Sequence, residues 1–513
     1  MPNALIDALQ DPTLYDHPVT AFQVIETHSS WVLLTGLMAY KIKKPIDLGF
    51  LDFSSLEKRH TDCLEEIRLN RRLAESLYLD VVPITGIPEK PRLGGTGTAI
   101  EYAVRMRQFD PETQLDVLIE KGELTAAICR RLAKRIARFH ADCPTAQEDS
   151  DFGQPEAIRQ AVFDNFIHLA EMDIRVEERA HIDDIHTWTR TQHERLAASF
   201  ANRRAAGHIR ECHGDLHLAN IALINGDPLP FDCLEFNPNL RWIDTMSEMA
   251  FLVMDLDRRC RADLARVTLN AYLEAGGDYE GITLFRYYAV YRAMVRVKVA
   301  AIRRTQAGAD ELEALSREIS AGLKLAQRYT MPTEGRLILT HGLSGSGKSL
   351  VSAKLLAEAD IIRTRSDVER RRLFPESAGR YSAAASQATY AHLTHVAKHI
   401  IKAGYSALID ATFLKQTQRA GFIALAEALN CPLVILDLQA PEELLRQWIR
   451  ERALRGGDPS EADEAVLTRQ IQTYDPLSNG ELRYAVSVDT SQTIDAGALA
   501  EAILSPTHKN GAD

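Results

Sequence analysis

Residues 342–349 read Gly-Leu-Ser-Gly-Ser-Gly-Lys-Ser, and no other stretch of the chain restricts its surroundings so tightly. The text satisfies G-x-x-x-x-G-K-[ST], a loop that cradles phosphate with backbone N–H groups. Such a loop needs a strand before it and a helix after it. RLILT supplies a compact apolar strand, and SLVSAKLLAEA supplies the helix. Gly342, Gly345 and Gly347 let the backbone turn without Cβ clashes and come close to a ligand. The helix then offers unsatisfied N–H groups and its positive dipole end to an anion. Ser344 and Ser346 complete the cradle, Lys348 is placed to reach the β- and γ-phosphates of a nucleotide, and Ser349 offers a hydroxyl oxygen to Mg2+. A chance glycine turn before a helix would not explain this context.

The text after the loop points to phosphoryl transfer rather than motor-type hydrolysis. RTRSDVERRRLFP (363–375) sets Asp367 among arginines, where a carboxylate can orient an acceptor hydroxyl and Arg365, Arg370 or Arg371 can hold an anion. Asp367 would serve equally as the acidic cap of a solvated helix. ALIDAT ends its apolar strand on Asp410, a candidate for the Mg2+ shell or for a cap. LLRQWIRERALRGGDPSEADEAV (444–466) strings Arg446, Arg450, Arg452 and Arg455 along a helix. Such a segment can close over a transferring phosphoryl group, with Arg450 and Arg452 the chosen catalytic candidates, or it can be a solvated face.

Alternation of strands and helices from 337 onward indicates an α/β unit with a parallel sheet. Before it, residues 23–109 read as short strands around one helix (55–77) that places Leu56, Cys63, Ile67 and Ala74 on one side. Long alanine-rich helices dominate 111–203 and 245–328, with short apolar and turn segments at 212–244. The expected organisation is a first domain at 1–328, a linker at 329–336 (YTMPTEGR) and a P-loop domain at 337–513. Within the first domain a small strand-rich lobe spans about 20–110 and a helical lobe 111–328.

The smaller lobe and the 212–244 segments carry a second constellation. His213–Asn220 read His-Gly-Asp-Leu-His-Leu-Ala-Asn, and Asp232 follows in LPFDCLEF. A phosphotransfer loop uses an Asp to take the acceptor proton, an Asn five residues later on the metal, and a second Asp beyond a hairpin on the same metal. Asp215, Asn220 and Asp232 meet that spacing. His213 is read as bracing the loop and His217 as structural. A zinc cluster of Cys212, His213 and His217 lacks a complete ligand set. Upstream, AYKIKKP puts Lys41 and Lys43 on one strand face; Lys41 is preferred for the nucleotide, with Lys43 a close rival. Glu66, in the 55–77 helix, is the carboxylate to hold that lysine, unless it is an exposed helix glutamate. Glu101 and Tyr102, at the end of the next strand, are candidates for the edge of an adenine pocket through their backbone.

The carboxy-terminal motifs (HGLSGSGKS, RSDVERRRL, IDATFLKQTQR and RGGDPSEAD) resemble P-loop small-molecule and nucleic-acid-end kinases. They look most like the ATP-binding half of a two-part bacterial family that joins an aminoglycoside-phosphotransferase-like domain to a P-loop kinase-like domain. Trp448 stands where many relatives carry arginine. The first half resembles the aminoglycoside-phosphotransferase and choline-kinase-like branch of the protein-kinase-like fold. There HGDLHLAN matches the catalytic loop, Asp232 the metal aspartate and Asp244 the helix-start aspartate that supports the loop. No glycine-rich loop accompanies it; Gly36 is isolated. The resemblance implies an α+β protein-kinase-like, bilobal first domain, an α/β P-loop second domain, and ATP with Mg2+ as cofactors.

The resulting expectation is an ATP- and Mg2+-dependent phosphotransferase acting on hydroxyl groups of small molecules, with two modules in one chain. Alternatives are a polynucleotide-end kinase, or an ATP switch with the first half as a binding module. A formal charge of −11 offers no extended basic track for nucleic acid. Seven scattered cysteines without C-x-x-C spacing predict reduced, mostly buried thiols. The opening MPNALIDALQDPTLYDHPVTAF has no secretory pattern and the apolar runs are too short to span a bilayer, so a cytoplasmic protein without stable membrane association is expected.

Overall fold

Period-2 alternation in the first hundred residues builds an antiparallel sheet with one face on a helix. In this computed structural model, which describes residues 2–47, 49, 51–376, 379–455 and 462–505, a short helix α1 (Pro2–Ala8) precedes β1 (Gln23–Glu26), β2 (Ser30–Leu34) and β3 (Met38–Lys43). Helix α2 (Leu56–Ala74), β4 (Tyr78–Ile87), β5 (Lys90–Leu93) and β6 (Ala99–Arg107) follow, and the six strands pair in the order β1-β2-β3-β6-β4-β5. Ser55 caps α2 by accepting from the Lys58 N–H, and Cys63, Ile67 and Ala74 bury the expected face. They meet Tyr78 and Val104 of the sheet, so the helix is fixed against β4 and β6.

Helices α3 (Leu115–Glu120), α4 (Ala126–Asp142), α5 (Pro155–Glu171) and α6 (Val176–Ala205) lead to four short strands. β7 (Ile209–Glu211) pairs with β10 (Trp242–Asp244), and β8 (Ile221–Ile224) with β9 (Asp227–Pro230). The β8–β9 hairpin closes on Asn225 and Gly226, both at positive φ (51° and 82°), the two-residue turn that suits the strand twist. Helix α7 (Thr245–Arg258) starts directly after β10.

Helices α8 (Ala262–Gly276), α9 (Ile282–Gln306) and α10 (Ala309–Thr330) precede the second sheet. That sheet consists of β11 (Leu337–His341), β12 (Ile361–Arg365), β13 (Ser406–Asp410), β14 (Leu433–Gln439) and β15 (Ala485–Asp489), in the order β12-β13-β11-β14-β15. All its pairings are parallel. Helices α11 (Lys348–Glu358), α12 (Ser366–Leu373), α13 (Ala383–Lys402), α14 (Gln416–Leu429), α15 (Glu442–Arg455), α16 (Glu464–Thr473), α17 (Asn479–Leu482) and α18 (Ala496–Leu504) accompany it. Near-continuous apolar strands are what a sheet covered on both faces requires, and every residue of β11 and β13 is buried.

Two compact units emerge, Met1–Asp164 with Phe200–Asp255, and Asn165–Ser199 with Leu256–Asp513. The expected linker at 329–336 falls inside the second unit, which holds α8–α10 together with the parallel sheet. All seven cysteines are free thiols, six of them buried and Cys260 exposed. Among the described residues no helix is long and apolar enough to cross a membrane.

Candidate nucleotide sites

In the first unit, β3 presents Lys41 and Lys43 on one face at different depths. Lys41 Nζ lies 2.9 Å from Glu66 Oε1 and 2.6 Å from Asp232 Oδ1. Lys43 Nζ lies 2.9 Å from Glu66 Oε2, pairs with Glu235, and sits over the Phe53 ring. Lys43 is 1% exposed against 15% for Lys41, so the residue that joins the helix glutamate to the second aspartate is Lys41. Burial disfavours the charge on Lys41, but Asp232 and Glu66 outweigh it and hold its pKa well above the ordinary lysine value. Burial likewise pushes the Glu66 carboxyl up, and Lys41 and Lys43 pull it further down, so it stays ionised.

The loop at 213–220 is held by side chains that accept from or donate to its backbone. His213 is fully buried; its Nδ1 accepts from the Asp215 N–H (3.3 Å), which leaves Nε2–H to donate to the Phe231 carbonyl (2.9 Å). Burial lowers its pKa, keeping the imidazole neutral and able to play both parts. Asn220 Nδ2 donates to the Asp215 carbonyl at 3.0 Å and to Asp215 Oδ2 at 3.1 Å, so the five-residue spacing closes into a direct contact. His217 Nε2 stands 3.3 Å from the same Asp215 oxygen, with its ring edge-on to Phe251. Asp232 takes a left-handed φ of 63°, and its N–H donates to Tyr78 Oη at 3.1 Å.

Several supports were invisible in the motif. Glu248 accepts from the Gly214 N–H at 2.7 Å and from His140 at 2.8 Å, and Asp255 accepts from the Leu218 N–H at 3.0 Å. Asn70, one turn after Glu66, accepts from the Cys233 N–H at 2.9 Å. Asp244 grips Arg203 through both oxygens (2.6 and 2.7 Å) and caps the start of α7 at Met246. Glu248 and Asp255 place carboxylates on the loop amides from the seven-residue interval of one face of α7.

Two expectations need correction. Glu101 and Tyr102 do not end a strand: β6 runs on to Arg107, and both are paired to Ile84 and Pro83 of β4. The Glu101 side chain is buried against Arg59, and the Tyr102 ring stacks on His60 at 3.9 Å. The weighed zinc cluster of Cys212, His213 and His217 does not assemble: both His213 nitrogens bond backbone, and Cys212 gathers instead with buried His140 and Glu248.

In the second unit the 342–347 loop leaves the end of β11 and enters α11. Gly342, Gly345 and Gly347 have φ of 144°, 86° and 77°. A Cβ at Gly345 would stand 2.8 Å from the Leu445 carbonyl, and one at Gly342 2.6 Å from that of Leu438, so those positions exclude side chains. Lys348 Nζ donates to the carbonyls of Gly342 (3.0 Å) and Leu343 (2.6 Å). Desolvation is the main influence on this lysine and lowers its pKa to about 8, against opposing pulls from Asp410 and Asp367. Ser346 and Ser344 are buried, and the Ser344 N–H donates to Gln470 of α16 (2.8 Å).

The register of β12 on β13 sets Arg365 beside Asp410, and Asp410 is 5% exposed. Arg365 reaches Ser349 Oγ at 3.4 Å and Asp410 Oδ2 at 3.6 Å, while Ser352 donates to the same Asp410 oxygen at 3.2 Å. Ser349 and Asp410 are hard oxygen donors at the loop's helix start, a set that fits Mg2+; Asn220 and Asp232 fit it likewise in the first unit. Asp367 opens α12 and is close enough to bear on the charge of Lys348. Arg370 is buried over the Tyr381 ring. Among the α15 arginines, Arg446 pairs with Glu442 and Glu464, and Arg450 approaches Glu464 at 3.6 Å. Arg452 is the one whose charge bears on Lys348, and it donates to the Ala462 carbonyl. Trp448 is half-buried on the same helix. The 456–461 part of the expected lid text and the Arg455 side chain lie outside the described residues. His341, just before the loop, hydrogen-bonds Asp437 at 2.7 Å, a partner that the motif did not signal.

The AAA domain family matches residues 337–477. An uncharacterized protein of Mycobacterium tuberculosis is 29% identical over 483 residues, spanning 91% of this chain and 94% of the relative. A choline/ethanolamine kinase family protein from Mesorhizobium loti aligns with 64% of this chain and 97% of its own at 12% identity and a TM-score of 0.39. A sugar kinase from Janibacter sp. HTCC2649 aligns with 33% of this chain and 92% of its own at 21% identity and a TM-score of 0.25. The architecture has the expected elements, an antiparallel sheet with helices in the first half and an α/β P-loop second half built on a parallel sheet.

Proposed function

We propose that the chain is an ATP- and Mg2+-dependent phosphotransferase acting on hydroxyl groups of small molecules, with one phosphotransfer module at 1–328 and a second at 337–513. The observation that carries this reading is Lys41. One ammonium touches both the helix carboxylate Glu66 and the second aspartate Asp232, and the loop bearing Asp215 and Asn220 lies on the same unit. That is the arrangement needed to hold a nucleotide phosphate beside a metal and an acceptor hydroxyl.

In the first module Lys41 would hold the nucleotide phosphates, Asn220 and Asp232 would hold Mg2+, and Asp215 would orient the acceptor and take its proton. In the second, the 342–347 amides and Lys348 would bind the phosphates, Ser349 and Asp410 would hold Mg2+, and Asp367 would serve the acceptor. Arg452 is the lid residue favoured to neutralise the moving phosphoryl group. Mg2+ held by these residues would supply positive charge to offset the negative charge that builds on the phosphate during transfer. Alignment and charge neutralisation account for most of such a reaction, so few further groups are required.

The deciding experiment incubates the full chain with γ-labelled ATP and a fractionated metabolite pool, with an oligonucleotide pool in parallel. Label on a metabolite that disappears in Asp215→Ala and persists in Lys348→Ala would support the first module, and the reverse pattern the second. Acceptor labelling untouched by either substitution would refute both assignments.

A further inference from the structure

Helix α8 precedes the P-loop segment yet carries a stripe of polar side chains, Arg266, Asn270 and Glu274, spaced four residues apart and therefore on one face. All three reach residues 357–365. Arg266 bonds Asp360 (2.7 Å) and the Ala357 carbonyl (3.0 Å). Asn270, 4% exposed, accepts from the Arg363 N–H at 2.8 Å and donates to the Ile361 carbonyl at 2.9 Å. One side-chain amide thereby satisfies one N–H and one C=O on the open side of the edge strand β12, as a further strand would. This fixes Glu274, one turn on, over the side chains that β12 sends toward the phosphate loop.

Glu274 faces two arginines. Its Oε2 lies 2.9 Å from Arg363, and its Oε1 3.5 Å from Arg365. Arg363 also donates to Ser352 Oγ at 3.1 Å, and Ser352 donates to Asp410 at 3.2 Å. Arg365 is thus shared between Glu274 at 3.5 Å and Asp410 at 3.6 Å, with Ser349 Oγ at 3.4 Å. A guanidinium on Asp410 competes with a divalent cation for the same oxygen. A second carboxylate pulling on it from the other side weakens that competition.

We propose that Glu274 is a positioning residue for the P-loop site, sharing the Arg365 guanidinium with Asp410 and Ser349 and so weakening its hold on the oxygens that would take Mg2+. The proposal rests on the reading of 342–349 as a nucleotide–Mg2+ site. It makes a residue outside the matched 337–477 segment part of what that site needs.

The test titrates Mg2+ against the full-length protein at fixed ADP, following nucleotide-dependent thermal stabilisation, and separately measures ADP affinity without Mg2+. Glu274→Gln should raise the Mg2+ concentration for half-effect by about tenfold, an ordinary size for coupling between neighbouring sites, while Mg2+-free ADP affinity stays unchanged. Glu274→Asp, which keeps the charge, should fall between. Arg365→Gln should abolish the dependence, so that Glu274→Gln/Arg365→Gln matches Arg365→Gln alone. An unchanged midpoint in Glu274→Gln, or an equal shift with and without Arg365, would overturn the proposal. So would parallel loss of Mg2+-free ADP binding, which would mark Glu274 as merely structural. If wild-type protein is not stabilised by ADP at any Mg2+ concentration, and Lys348→Ala behaves identically, the nucleotide reading itself falls and takes the proposal with it.

Discussion

Lys41 and Lys348 are the two ammonium groups proposed to meet phosphate, and the chain surrounds them with opposite partners. Around Lys41 stand the carboxylates of Glu66 and Asp232, with Glu235 paired to its neighbour Lys43. Around Lys348 stand backbone carbonyls of its own loop, and desolvation lowers its pKa to about 8. One cation is stabilised by full charges brought from distant segments; the other is held by dipoles that the glycine loop supplies locally. The first arrangement depends on tertiary structure, because β3, α2 and the Asp232 segment must all be in place. The second can be written in eight consecutive residues, and its cost is a charged group held out of water.

The largest expected effect breaks the symmetry of the lysines. Glu66→Gln leaves the fully buried Lys43 and the nearly buried Lys41 sharing fewer carboxylates, and removing one partner of a buried ion pair costs about 3–5 kcal/mol. Chemical denaturation should register that loss, together with loss of any labelling that depends on Asp215. Next comes the loop that replaces those carboxylates. Gly345→Ala forces a Cβ to within 2.8 Å of the Leu445 carbonyl at a φ of 86°, and such strain costs on the order of 1–3 kcal/mol. Nucleotide binding should fall with it. Equal stability of wild type and Gly345→Ala would mean that the loop relaxes and is not held by the glycine conformation.

Lys348→Met should act with the opposite sign to Glu66→Gln. The folded pKa of about 8 lies below the ordinary 10.5. At pH 7 the lysine is charged in both states and the folded state bears the desolvation. Between those two values the folded state gives up its proton first, so wild-type stability rises with pH. The methionine variant should therefore be more stable at pH 7 by on the order of 1 kcal/mol, and the gain should shrink from pH 8 toward 10.5. Melting curves across that range decide it; a gain independent of pH would mean that packing, not charge, is responsible.

How much of this was legible follows the same division. The 342–349 loop, its strand and its helix were readable because every chemical requirement is local. The buried strands β11, β13 and β14 were readable as apolar runs. β12 does not read as a strand: Arg363 and Arg365 interrupt Ile361, Ile362 and Thr364 in the text, and partners distant in sequence, the Asn270 amide and the Glu274 carboxylate among them, satisfy that edge. In the first unit the Asp215–Asn220 spacing gave the loop, and Glu66 was found by its place on a helix. Lys41 and Lys43 could not be separated by period-2 alternation, since they share a face and differ in depth. Glu248, Asp255 and Asn70 escaped because they act on backbone amides far away in sequence, which no motif spacing records. Asp244 was expected to support the loop, and its observed bonds go to Arg203 and the start of α7.

The smallest effect concerns how the two loops are braced, since 342–347 relies on glycine conformations and 213–220 on a neutral imidazole. His213 both accepts from the Asp215 N–H and donates to the Phe231 carbonyl, which only the neutral ring can do. Burial lowers its folded pKa below the ordinary 6.5. Above that value the ring is neutral in both states, and the brace contributes its full stability. As pH falls, the unfolded chain takes up the proton first, so stability is lost progressively until the folded pKa is passed. His213→Asn should cost about 1 kcal/mol at pH 7.5, the worth of the exchanged hydrogen bonds, and the deficit against wild type should narrow between pH 6.5 and 5. Denaturation midpoints at pH 7.5, 6.5 and 5 measure this directly. A deficit that stays constant or widens on acidification would show that the ring is not held neutral, and the contrast with the glycine loop would then rest on geometry alone.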